Sequence, residues 1–168
     1  MTGVISPYAR QRVREYVEGN MDGLVTVVRG KRGGLDPVTG NVKGLVITGV
    51  VYGGAGVTVD NVDADAGGKA RVHLVAGQGT VSNGPGEFDM RQVTISIPFS
   101  ADPQSMPRRD DVVLIRSGGQ DGELNGQTAR VLSADGGGLF GEARRMQCTL
   151  WGRSEYWTSQ GTAPGGQL

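Results

Sequence analysis

Apolar and polar positions alternate along most of this chain, and a period of two marks a strand with one buried face. Residues 92–99 show it most plainly: Val93, Ile95 and Ile97 fall on one side, Thr94 and Ser96 on the other, with Pro98 closing the run. Residues 69–75 repeat the pattern, with Ala70, Val72 and Leu74 opposite Arg71 and His73. Residues 24–31 read as an earlier strand. The last third supplies three more: the run Val112-Val113-Leu114-Ile115, then 124–132, then 143–150, each joined to the next by a Gly-rich loop. Only residues 6–19 change period. Ser6 is a good N-cap and Pro7 fits the first helical position, while Ala9, Val13, Tyr16 and Val17 recur three and four apart on one face. Gly19 and Asn20 provide the stop. Arginines near the start of this helix oppose its macrodipole and mark a solvated face.

Between the first two strands the chain makes an excursion. Asp36-Pro37-Val38-Thr39-Gly40 is a strong turn, with a side-chain acceptor, a preset φ and a glycine for positive φ. It lies between Val28 and the apolar run 45–52, which predicts a long hairpin or arm within 32–68. Residues 53–68, mostly Gly and Asp, read as a mobile loop or as a segment that orders against a partner. Residues 77–87 form a second polar loop, and 158–168 a flexible tail. The expectation is a mainly β fold: one domain over 1–157, a small barrel or sandwich with one short N-terminal helix and a long hairpin arm.

Composition changes this picture little. The 168 residues include 30 Gly and 7 Pro, in keeping with a loop-rich β protein whose compact apolar runs can still build a core. Seventeen basic residues balance seventeen acidic ones, so no global field draws the chain to nucleic acid or an anionic membrane. Arg outnumbers Lys 14 to 3, a bias that GC-rich coding explains more readily than interface use. No leader peptide or membrane-spanning run is evident, which points to synthesis in the cytoplasm.

Chemistry finds little foothold. Cys148 is the single cysteine, set in a strand, and is expected to be buried and inert. Asp60, Asp63 and Asp65 resemble the start of a calcium loop. With Asn61 as position one, however, the sixth position is Ala66 and the twelfth Val72, where Gly and a bidentate Glu belong. His73, the one histidine, has no nucleophile or zinc partners by spacing and reads as a surface or interface residue. Asp110 and Asp111 beside Arg108 and Arg109 read as a solvated turn. Neither Gly68-Lys69-Ala70 nor Gly77-Gln78-Gly79 completes a phosphate-binding motif. The strands lack the paired aromatics of a single-strand nucleic-acid groove or a sugar platform; Trp151, Tyr156 and Trp157 cluster after the last strand instead. No catalytic residue, cofactor or metal is expected.

The order of these pieces resembles the head-to-tail connector or stopper (neck) proteins of long-tailed phages that infect actinobacteria. The residues that carry the resemblance begin with the helix, Leu24-Val25-Thr26-Val27-Val28-Arg29, the 36–40 turn and Gly68-Lys69-Ala70-Arg71-Val72. Val93-Thr94-Ile95-Ser96-Ile97-Pro98 follows, then Arg109-Asp110-Asp111-Val112-Val113, Leu124-Asn125-Gly126-Gln127-Thr128-Ala129-Arg130-Val131 and Ala143-Arg144-Arg145-Met146-Gln147-Cys148. Two departures stand out. The Gly usual before the Asp of the family's Gly-Asp-Val-Val-like turn is replaced, since Arg109 and Asp110 precede Asp111, and 53–67 looks like an addition.

The resemblance implies a virion protein of the neck, assembled in the host cytoplasm. It would form a homo-oligomeric ring, six-fold, between the portal and adaptor rings and the tail terminator or tail tube. Such a ring closes the channel through which double-stranded DNA passes without sequence-specific contact, and membranes play no part. Within that scheme Gly77, Gln78, Gly79, Ser82, Asn83, Gly84 and Glu87 are the channel-loop residues. Leu45, Val46, Ile47, Val50, Val51 and Tyr52 form an arm that packs on a neighbouring subunit and is dispensable for the barrel itself. Arg10 and Arg14 on the helix, with Trp151, Tyr156 and Trp157, meet the adjacent rings. Another neck ring such as a tail terminator is the second reading, and a ligand-binding barrel or small enzyme the third.

Overall fold

The computed structural model describes residues 6–32, 45–54, 56–58, 67–75, 81–82, 87–88, 91–98, 105–137 and 143–153. Helix α1 (Pro7–Gly19) is followed by nine strands: β1 (Gly23–Arg32), β2 (Leu45–Tyr52), β3 (Gly68–Leu74), β4 (Val81–Ser82), β5 (Glu87–Phe88), β6 (Gln92–Pro98), β7 (Val112–Ser117), β8 (Gln127–Gly137) and β9 (Ala143–Arg153). A 3-10 turn, Gly122–Leu124, precedes β8.

The sheet runs β2-β1-β3-β6-β9-β8-β7, and β7 pairs back onto β1. Six antiparallel strands thus close into a barrel, to which β2 is appended; of the two expected architectures, the barrel is the one formed. The core follows from the alternation. Val25 and Val27, Val93, Ile95 and Ile97, Val113 and Ile115, and Met146, Cys148 and Leu150 all point inward and are buried. Leu124 of the 3-10 turn joins them. Burying each such side chain stabilises the fold by roughly 1.5–3 kcal/mol before entropy is set against it.

Strand β2 forms the expected hairpin with β1, but it is tied to its own barrel. It pairs with β1 from Val27↔Tyr52 to Arg32↔Leu45, on the edge that β1 gives to β3 at residues 23–25. Two register shifts leave Val51 and Thr48 as extra residues, and a bulge re-aims the side chains around it. Val51 enters the barrel core, whereas Ile47 and Val50 pack on Val28, Val112 and Leu114 on the outer face of β1 and β7. That second cluster explains the unbroken apolar run 112–115: β7 is buried on both faces. The 36–40 turn lies outside the described residues.

Helix α1 has the expected ends. Ser6 Oγ accepts from the Ala9 N–H at 3.2 Å, Pro7 opens the first turn, and Asn20 Nδ2 donates to the Tyr16 carbonyl at 2.7 Å. Its covered face is largely the expected one, with Ala9, Val13 and Val17 half-buried. No helical side chain is buried, and Tyr16, placed by spacing on the packed face, is 75% exposed.

Candidate interaction surfaces

The turn before β7 locks two distant strands. Asp111, buried despite its charge, accepts from Arg29 Nε at 3.0 Å and Arg29 Nη2 at 2.9 Å, and from the Arg108 N–H at 2.8 Å. Arg29 Nη2 also donates to the Met106 carbonyl at 3.2 Å. Asp110 adopts φ 73°, the left-handed region that favours glycine. Its side chain accepts from Arg130 Nε at 2.9 Å, while the Asp110 N–H donates to the Val131 carbonyl at 2.9 Å. The expectation of a solvated carboxylate pair holds for exposed Asp110 and fails for Asp111. Burial of Asp111 brings desolvation, which the bidentate guanidinium offsets. The Arg29 pKa is raised in turn, chiefly by its hydrogen bond to Asp111.

The candidate residues scatter over several surfaces. Ser82 and Glu87 face each other as Cα partners in the small β4–β5 hairpin, so the 77–87 loop contains paired structure. Gly77, Gln78, Gly79, Asn83 and Gly84 lie outside the described residues. Among the arm residues, Ile47 and Val51 are 4% and 6% exposed within their own chain, so neither can serve as a side-chain contact with a neighbour. Val50 is half-buried on the second cluster. Tyr52 packs against the core and donates from its hydroxyl to the Lys69 carbonyl at 2.7 Å. Burial, and secondarily the Glu18 carboxylate, pushes its phenol up to about 12. Leu45 and Val46 are described through their backbone pairing with Arg32 and Lys31. What β2 can offer a partner is its backbone edge.

Arg10 and Arg14 are exposed on α1, and Arg14 forms an ion pair with Glu18 at 2.7 Å. Trp151 belongs to β9; Tyr156 and Trp157 lie outside the described residues. Sequence reading missed the more prominent feature of the helix. Tyr8 and Tyr16 are 67% and 75% exposed, with Arg12 between them donating to the Tyr8 hydroxyl at 3.0 Å and lying 5.4 Å from its ring centroid. Their i, i+4, i+8 spacing was the available signal. Tyr and Arg are enriched at protein interfaces.

A polar cleft of about 260 Å³ lies between the helix exit, β3 and the loop after β7. Asn20, Asp22, Arg71, His73, Gln120 and Asp121 line it. Asp121 Oδ2 accepts from the Leu74 N–H at 3.3 Å, and Asp22 crowds Gly119, whose φ of +63° and missing Cβ make room for the carboxylate. His73 and Arg71 are exposed on the outer face of β3, as their alternation predicts. Among the described residues no His, Cys, Asp and Glu group could hold a metal ion. Burial pushes the Cys148 thiol up to about 12, far from the thiolate a nucleophile needs. The 60–65 acidic segment lies outside the described residues. No helix among the described residues is long and apolar enough to cross a membrane.

A closed barrel with an appended strand, a sparsely packed helix and clustered surface Tyr and Arg defines a small β-barrel protein. The chain belongs to a family described as "Family of unknown function (DUF6093)", whose model matches residues 13–149. That span runs from within α1 through β9 and includes the Arg29–Asp111 lock. No curated protein and no solved structure matches the chain.

Proposed function

We propose that this protein is a structural subunit of a phage neck, forming a ring between the portal and adaptor rings and the tail, closing the DNA channel and presenting the surface on which the tail docks. The observation that carries the reading is the ordered resemblance to connector and stopper proteins, joined to the left-handed backbone of Asp110, a conformation that favours glycine. Balanced charge suits a channel that DNA must traverse without sticking, because every phosphate contact adds salt-dependent affinity. On this reading the protein is not an enzyme. Its partners are further copies of itself, the portal or adaptor ring above, the tail terminator or tail tube below, and passing double-stranded DNA.

An early stop codon in the gene, followed by electron microscopy of the infected-cell lysate, tests the proposal. Tail-less heads that have lost their DNA, beside intact free tails, are expected. Complete virions in normal number would contradict it. A second reading, a ligand-binding barrel, is favoured by the polar cleft around His73; that reading predicts normal particle assembly in the same experiment.

A further inference from the structure

Closing a barrel removes its sheet edges, and β2 puts one back. One edge of β2 pairs with residues 27–32 of β1; among the described residues no strand pairs with the other. Edge strands are ordinarily guarded by Lys, Pro, bulges or inward-pointing charge, and of these β2 has only its two bulges. Strand β2 reads Leu45-Val46-Ile47-Thr48-Gly49-Val50-Val51-Tyr52, without a charge or a proline. Its bulges turn Val51 into the core and Ile47 onto the cluster outside β1 and β7, and its middle stays approachable: Thr48 is exposed, and a Cβ built on Gly49 meets nothing within 4 Å.

A second open edge lies on β8. Strand β9 pairs with it over 127–137, but β7 covers only 128–130 and the 110–111 turn takes up Val131. Beyond that point, among the described residues, β8 has a strand neighbour on one side only. Leu132, shifted out of register there, is 38% exposed, an unusual state for a large apolar side chain in this barrel.

We propose that these two edges meet between copies: β2 of one chain adds antiparallel to residues 132–137 of β8 in the next. Antiparallel addition brings Leu132 toward the Val50 end of β2. It also brings Asp135 toward the Leu45 end, where Lys31 and Arg32 of β1 are the Cα partners of Val46 and Leu45. Apolar thus meets apolar at one end of the pair. Because the two edges differ, the contact is heterologous and repeats from copy to copy until the rotation closes a ring. The inference rests on the ring reading above and supplies its subunit contact, main chain to main chain in place of the side-chain arm.

Cysteine cross-linking of the purified full chain tests it against a clean background, since the one native thiol, Cys148, is buried. Thr48→Cys is combined with Ser133→Cys in one double variant and with Asp135→Cys in another, which spans a two-residue shift of register. Mild oxidation is expected to give at least one double variant a ladder of covalent multimers that collapses on reduction, while every single variant stays monomeric. Monomers from both double variants would overturn the contact. So would a covalent dimer from Thr48→Cys alone, which means β2 pairing with β2. In the otherwise native chain, Thr48→Lys, at an exposed site, should weaken self-association at least tenfold by sedimentation without lowering the melting temperature by more than a few degrees; unchanged association would also overturn it. Failure here is separable from failure of the neck reading. A missing ladder with tail-less heads in the stop-codon lysate removes the contact and keeps the function; a ladder with normal virions does the reverse.

Discussion

Arg29 and Asp111 stand 82 residues apart in sequence and form a bidentate ion pair, at 3.0 and 2.9 Å, that ties β1 to the entry of β7. The pair is asymmetric: the Asp111 side chain is 4% exposed and that of Arg29 33%. Removing the arginine strands a buried carboxylate, whereas removing the carboxylate leaves a guanidinium that can still reach water. Arg29→Ala should therefore cost about 3 kcal/mol and Asp111→Ala about 2 kcal/mol. The double variant Arg29→Met with Asp111→Leu should cost less than the two alanine changes added together. Urea unfolding monitored by circular dichroism measures all three. Equal and additive losses would show that the pair is no more than a surface contact.

Asp110 tests the backbone beside it. Asp110→Gly keeps the left-handed φ of 73° and loses an exposed ion pair with Arg130, so stability should change by no more than about 0.5 kcal/mol. Asp110→Val places a β-branched residue where it is strained and should cost about 2 kcal/mol. The difference between the two variants isolates the backbone contribution from the lost ion pair.

Tyr52 lies over Gly68 where β2 gives way to β3 on the edge of β1. A Cβ built on Gly68 comes within 2.6 Å of the Tyr52 ring. Gly68→Ala must displace the ring and weaken the bond from the Tyr52 hydroxyl to the Lys69 carbonyl, at a cost of about 1–2 kcal/mol. In a Tyr52→Leu background the same change should cost less, because no ring edge remains to be moved. Thermal melts of the four proteins complete the cycle.

Alkaline pH should unfold the barrel in a defined window. The Cys148 thiol rises from 9.0 to about 12 and the Tyr52 phenol from 10.0 to about 12 on folding, each mainly through burial. Both groups are neutral in either state below pH 9, so their contribution is intact there. As pH climbs from 9 toward 12 the unfolded chain releases these protons first, and stability falls. Cys148→Val together with Tyr52→Phe should flatten the decline of melting temperature across that window. A decline of the same steepness in the double variant would assign it to other groups.

Much of the architecture was legible because one rule, alternation, decides strands with a single buried face: β3 and β6 alternate as Val72 and Ile95 predict, and both ends of α1 follow from Ser6, Pro7 and Asn20. Sequence failed where tertiary contacts override local pattern. An apolar run such as 45–52 reads the same whether it meets a neighbouring chain or its own barrel, and only the bulges at Thr48 and Val51 turn Val51 into the core and Ile47 onto the cluster outside β1 and β7. Deleting 42–52 is thus expected to expose core residues and destabilise the monomer. Asp111 looked solvated because its partner Arg29 is distant in sequence. Tyr16 looked packed because helical spacing identifies a face without saying whether anything covers it.

Mixing purified protein into the stop-codon lysate and counting tailed particles by electron microscopy tests the neck role most directly. Free heads, emptied of DNA, and free tails should join, and the number of tailed particles should rise in proportion to added protein. A count that stays at the level of the untreated lysate, with heads and tails still apart after folded protein is added, would contradict the assignment.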